Sequence, residues 1–203
     1  MGLSTIPIAP KDITPSRFFK EWLPQQVEPF KPLMSFLGDV SATLAVRVTG
    51  DSGGDWSCTA SMNGLEVAEG LKDDAVITLI LSVKAFLAAV TGEIKFGQPR
   101  ARSGKAPDVS KVPGMIKSTL ASLRMVNGML RYHLTGTGAE DFIVDIKFGG
   151  PLKSAPDVEV TMGRELAEGM NAGTVNPQDA FMAGKIKIDG DMSLLFQLMP
   201  LMV

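Results

Sequence analysis

The 203-residue chain is 45% hydrophobic and 21% charged, a composition that folds around a core and is not that of a disordered segment. Its length accommodates one ordinary domain or two small ones. A formal net charge of -2 supplies no global field for nucleic acid, so such a partner would need a local basic patch. The lone cysteine, Cys58, excludes an internal disulfide framework and fits a cytoplasmic, reducing compartment.

The chain opens on an irregular segment, residues 1–14, with Pro7 and Pro10 and no periodicity. Its first residues lack the basic start and apolar core of a signal peptide, and Ile6 breaks the myristoylation pattern. Thr14-Pro15 reads as an N-cap followed by proline at the first helical position. The helix carries Phe18, Phe19 and Trp22, and Pro24 is expected to end or kink it. A second apolar stretch runs from Phe30 to Leu37 and stops at Gly38, a helix C-cap.

Strand patterns follow. Residues 43–49 alternate, with Leu44, Val46 and Val48 on one face. Asp51-Ser52-Gly53-Gly54 is turn chemistry. Trp56, Cys58, Ala60 and Met62 alternate with small polar residues, and Asn63-Gly64 signals a hairpin returning through residues 65–69. Residues 75–81 are apolar except for Thr78, as in a strand buried on both faces, and residues 83–90 form a helix closed by Gly92. Residues 95–112 carry Lys95, Arg100, Arg102, Lys105 and Lys111 with a single acid, Asp108. This reads as a basic linker, the alternative being transient contact with an anionic membrane surface.

The order of elements then restarts. Residues 115–125 have helical spacing. Residues 129–135 form a strand with Leu130, Tyr132 and Leu134 inward, and residues 142–148 another with Phe142, Val144, Ile146 and Phe148 inward. A strand at 157–162 and a helix at 164–171 ending near Gly173 complete the parallel with the first half. Identity between the halves is low, so the repeat rests on element order. Residues 176–192 have no counterpart upstream. Asn176 caps a short helix that starts at Pro177 and ends at Gly184. Lys185 to Asp189 is a strand, Asp191 a cap, and Met192 to Met199 a final helix. That helix is apolar almost all round, whereas a surface helix needs one apolar stripe. It must therefore cover a ligand, a partner, a membrane or the rest of the chain. No apolar run approaches the roughly 20 residues that span a bilayer.

The segment Asn176-Pro177-Gln178, Ala180-Phe181, Gly184-Lys185-Ile186-Lys187-Ile188, Gly190-Asp191-Met192 resembles the signature of the sterol carrier protein type two family. The resemblance covers residues 113–203 as a complete domain and treats residues 15–94 as a partial, diverged copy without the signature. It implies an α+β fold with a mixed five-stranded sheet covered by helices on one face. It also implies an apolar tunnel that takes sterols, fatty acyl chains or other lipids.

Under that resemblance Gln178, whose amide both donates and accepts, is the candidate for fixing a ligand's polar end. Bracing the short helix is its structural alternative. Phe181, Met182, Ile188, Met192, Leu195, Phe196 and Met199 are candidate wall residues, each equally suited to plain core packing. The twelve methionines suit a cavity of adaptable shape as well as gap-filling.

Nothing in the sequence singles out a catalyst. His133 lies on the outward face of its strand, and Cys58 reads as a small buried hydrophobe. One histidine and one cysteine are too few for a zinc site, and no phosphate-binding loop follows a strand. The sequence thus points to a cofactor-free protein that binds and transports or sequesters a hydrophobic molecule, with the pocket expected in the second half and the first half expected to extend or close it. The alternatives are an enzyme or biosynthetic accessory using the same cavity, and a homodimer through the C-terminal helix.

Overall fold

The structure, a computed structural model, describes residues 7–94, 112–138 and 140–198. The alternating segments become eight strands. They are β1 Ala42–Thr49, β2 Gly54–Ser61, β3 Gly64–Glu69, β4 Ile77–Ser82, β5 Gly128–Thr135, β6 Phe142–Phe148, β7 Val158–Gly163 and β8 Ile186–Gly190. The helices are α1 Pro15–Arg17, α2 Leu23–Val27, α3 Lys31–Met34, α4 Val83–Val90, α5 Val112–Met125, α6 Arg164–Ala172, α7 Pro177–Met182 and α8 Met192–Leu198. The basic linker, up to Lys111, lies outside the described residues.

All eight strands join one sheet, in the order β3-β2-β1-β4-β6-β5-β7-β8. In place of a separate five-stranded sheet in the second half, each half contributes four strands. The junction is an antiparallel ladder from Ile77↔Phe148 to Leu81↔Val144. Without it, β4 and β6 would each present an unpaired row of backbone donors and acceptors. Within each half the pairing is alike: β1 lies antiparallel to β2 and parallel to β4, and β5 antiparallel to β6 and parallel to β7.

Alternation then sorts the two faces. The side chains of Val46, Val48, Trp56, Leu81, Leu134, Phe142, Val144 and Met162 meet Phe19, Phe86 and Ala167 in one buried cluster that crosses the junction. The opposite face is polar and carries two bidentate cross-strand pairs. Arg47 donates to Asp55 at 2.9 and 2.7 Å, and Arg131 to Asp145 at 2.6 and 2.8 Å. The helices therefore pack on one side of an α+β fold.

One local expectation is refined and one corrected. Pro24, expected to end or kink the first helix, does not end it: α1 passes through a π-helical turn, Phe18–Trp22, into α2, and the Leu23 N–H bonds the Phe18 carbonyl five residues back. The wider turn accommodates a proline that has no N–H and crowds the carbonyl of the preceding turn. In the β2–β3 hairpin, Ser61 pairs with Gly64, so the two loop residues are Met62 and Asn63. Gly64 instead takes the positive φ of 116° at the first paired position, a conformation that costs glycine little.

Candidate functional site

An apolar cavity of about 550 Å³ lies between the first-half strands and the helices above them. Its floor is Ala42, Leu44 and Val46 of β1, Cys58 and Ala60 of β2, Leu65 of β3, and Ile77, Leu79 and Leu81 of β4. Phe18, Phe19, Leu23 and Val27 form one wall, Phe86, Ala89 and Val90 of α4 another, and Leu120 and Leu123 of α5 a third. The helix α5 reaches across from the second half. Lys117 bonds Asp39 at 2.8 Å, and Arg124 donates to the Ser41 carbonyl at 3.3 Å.

The aromatic end is tightly built. Phe19 stacks on Trp56 at 4.7 Å, while Phe18 meets Phe86 edge-on and Trp22 face-on, both at 5.1 Å. No lining residue carries a charge. Thr43 shares a hydroxyl hydrogen bond with Thr59 at 3.1 Å. Burial pushes the Cys58 thiol up to about 11, so it stays protonated and unreactive at neutral pH. Leu44 sits on an interior strand, on the helix side, yet is 37% exposed. A large apolar side chain in that position is normally covered, so the exposure marks an unfilled site.

This cavity is lined by residues other than those the sequence reading named. None of Gln178, Phe181, Met182, Ile188, Met192, Leu195 and Phe196 lines it, and Met199 lies outside the described residues. The strand of Ile188, β8, stands four strands from β4, about 19 Å at ordinary strand spacing. Ile188 and Leu195 pack together against a second cluster, Val126, Leu130, Phe148, Val158, Leu194 and Leu198. Gln178 is exposed and its backbone N–H bonds the Asn176 side chain at 2.8 Å, within the cap of α7. Phe181, Met182, Met192 and Phe196 are exposed. Sequence reasoning missed the first-half floor. The small size of Ala42, Cys58 and Ala60 at inward positions marks it only once the paired ladders are known.

On the polar face, His133 of β5 touches Asp141 through Nε2 at 2.9 Å and Glu159 through Nδ1 at 2.8 Å. Hydrogen bonding to Asp141 first, then to Glu159, holds its pKa above the ordinary histidine value. No group of three or more potential metal ligands occurs among the described residues. No helix among them is long and apolar enough to cross a membrane.

A single mixed sheet with helices on one side, enclosing a charge-free cavity, is the frame of an apolar-ligand binding protein. Residues 114–203 match the model of the SCP-2 sterol transfer family. A hydroxysteroid dehydrogenase-like protein 2 from Xenopus laevis is 28% identical over 116 residues, covering 53% of this chain and 28% of the relative. The chain thus spans just over a quarter of that relative's length. Among solved structures, palmitated SCP2L2 of Aedes aegypti is 31% identical, with 38% of this chain and 73% of that one covered and a TM-score of 0.30. The sterol carrier protein domain 2 of Helicoverpa armigera is 27% identical, with 49% and 91% covered and a TM-score of 0.33.

Proposed function

We propose that the protein binds a lipid-like molecule, a sterol, fatty acyl chain or isoprenoid, in the cavity over β1 and β4, and transports or sequesters it without chemistry. The observation that carries this reading is Leu44, an interior-strand leucine left open to an apolar void. A void of this volume falls in the range of small-molecule pockets, roughly 300–1,000 Å³. Each methylene buried there contributes about 0.8 kcal/mol, so greasy walls suffice without charge pairing. The family match of residues 114–203 and the palmitated state of the Aedes relative support the ligand class. The two halves are read as diverged copies of one unit, supported by their matching ladders.

A biosynthetic accessory role is the second reading, favoured by the dehydrogenase-like relatives. Against chemistry inside the cavity stands its lining, which offers no general base. Mass spectrometry of an organic extract of the purified protein is expected to show a co-purified lipid, and fluorescent fatty-acid probes are expected to bind. Absence of both sinks the carrier reading. Turnover of a hydrophobic substrate, abolished by substituting a carboxylate, would establish the enzymatic one.

A further inference from the structure

We infer that the first-half cavity holds an uncharged hydrocarbon chain in the place that Leu194 and Leu198 of α8 occupy in the second half; this rests on the carrier reading. The strand registers give the correspondence. Six parallel pairs join β1 to β4, from Leu44↔Ile77 to Thr49↔Ser82. Six join β5 to β7, from Leu130↔Val158 to Thr135↔Gly163. At matching ends of the two ladders, Thr49 Oγ1 donates to the Leu81 carbonyl and Thr135 Oγ1 to the Met162 carbonyl, each at 3.4 Å. The helices α4 and α6 then start one residue after Ser82 and Gly163. Leu44 and Ile77 therefore correspond to Leu130 and Val158.

What covers these two pairs differs. Leu130 and Val158 are 6% and 1% exposed beneath Leu194 and Leu198. At Gly128, an added Cβ would lie 2.8 Å from Leu194 Cδ2, so the leucine rests on bare backbone. Gly128 corresponds to Ala42, a cavity residue. No described first-half segment corresponds to α7, β8 and α8. The floor is also built smaller. Across β1, Ala60 faces Ala42 and Cys58 faces Leu44. Across β5, Phe148 faces Gly128 and Ile146 faces Leu130. Both differences leave room where the second half is filled. With no charge in the lining, an ionised headgroup brought inside would be desolvated and left unpaired. The chain enters and the polar end stays at the opening.

The test uses the full, delipidated chain with a pyrene-labelled fatty acid and the matching alcohol. The wild type binds one chain per protein, with similar affinity for acid and alcohol. Cys58→Ile with Ala60→Phe transplants the second-half residues onto the first-half floor. It is expected to bind both probes at least about tenfold more weakly and to melt higher without lipid. Should that variant not fold, Leu123→Trp narrows the cavity from α5 and is expected to weaken both probes likewise. Undiminished binding by a folded variant overturns the placement, and a strong preference for the acid overturns the uncharged interior. A wild-type dimer that the probe disperses would mean that a second copy fills the site, which also overturns it. If the wild type binds neither probe, the carrier reading itself fails.

Discussion

His133 is the residue whose charge most directly ties three strands together. Its ring contacts Asp141, beside β6, and Glu159, on β7. Both nitrogens can donate to carboxylates only when the ring is protonated. Its pKa in the folded chain lies above 6.5, the ordinary value, while that of Glu159 lies below 4.5, chiefly through the bond to His133. The stabilisation from His133 is therefore fully present below pH 6.5 and is lost as pH rises through the higher folded pKa. That from Glu159 is present above pH 4.5 and is lost as pH falls through the lower folded one. The gap in unfolding free energy between wild type and His133→Gln should be widest between those two values and shrink as pH rises through the folded pKa of His133. Urea titrations across that range measure it, and a gap that grows with pH would contradict the assignment. A second residue-level prediction concerns Cys58, the sole thiol. With its pKa near 11, it should react with Ellman's reagent far more slowly at pH 8 in the native chain than in urea. Equal rates would show that the thiol is neither buried nor protonated.

At the scale of elements, the signature segment has a physical explanation that centres on Asp157. Its N–H bonds the Met129 carbonyl at 2.7 Å, its Oδ2 accepts from the Met129 N–H at 2.7 Å, and its carbonyl accepts from the Asp191 N–H at 2.8 Å. Gly190 lies against that carbonyl: an added Cβ would sit 2.2 Å from it, at a φ of 102°. Gly190→Ala should therefore destabilise by about 3 kcal/mol, combining backbone strain with a backbone clash. Gly184→Ala, at φ 69° with nothing within 4 Å, should cost only about 1 kcal/mol, from strain alone. Equal losses in urea unfolding would remove the steric half of this explanation. These local features were legible in the sequence, because caps, turn glycines and two-residue alternation are local codes. Asn176 and Asp191 cap α7 and α8 by accepting from the N–H groups of Gln178 and Ser193. The cavity was not legible. Ala42, Cys58 and Ala60 alternate like any inward-facing set, and their meaning appears only beside Gly128, Ile146 and Phe148 in the paired ladders.

The whole molecule is one sheet, and that too escaped the sequence. The β4–β6 pairing joins strands separated by α4, the linker, α5 and β5. Alternation in β6 reads the same at a sheet edge as in its middle. The consequence is mechanical: one buried cluster takes Phe19, Val46, Trp56 and Leu81 from the first half and Leu134, Phe142, Val144 and Met162 from the second. Halves that share a core should unfold together. Both tryptophans, Trp22 and Trp56, belong to the first half, so their fluorescence reports that half, whereas far-UV circular dichroism reports the entire sheet. Phe142, at 2% exposure, lies in the second half, and truncating it to alanine should cost about 3–5 kcal/mol. The loss should lower the fluorescence midpoint in urea as much as the dichroism midpoint. If only the dichroism transition moved, the halves would unfold separately and the junction ladder would contribute little to cooperativity. A shared transition also bears on the cavity, because α5 forms one of its walls while its chain continues directly into β5. A lipid bound over β1 and β4 would then stabilise second-half strands that it never touches, and by the same increment.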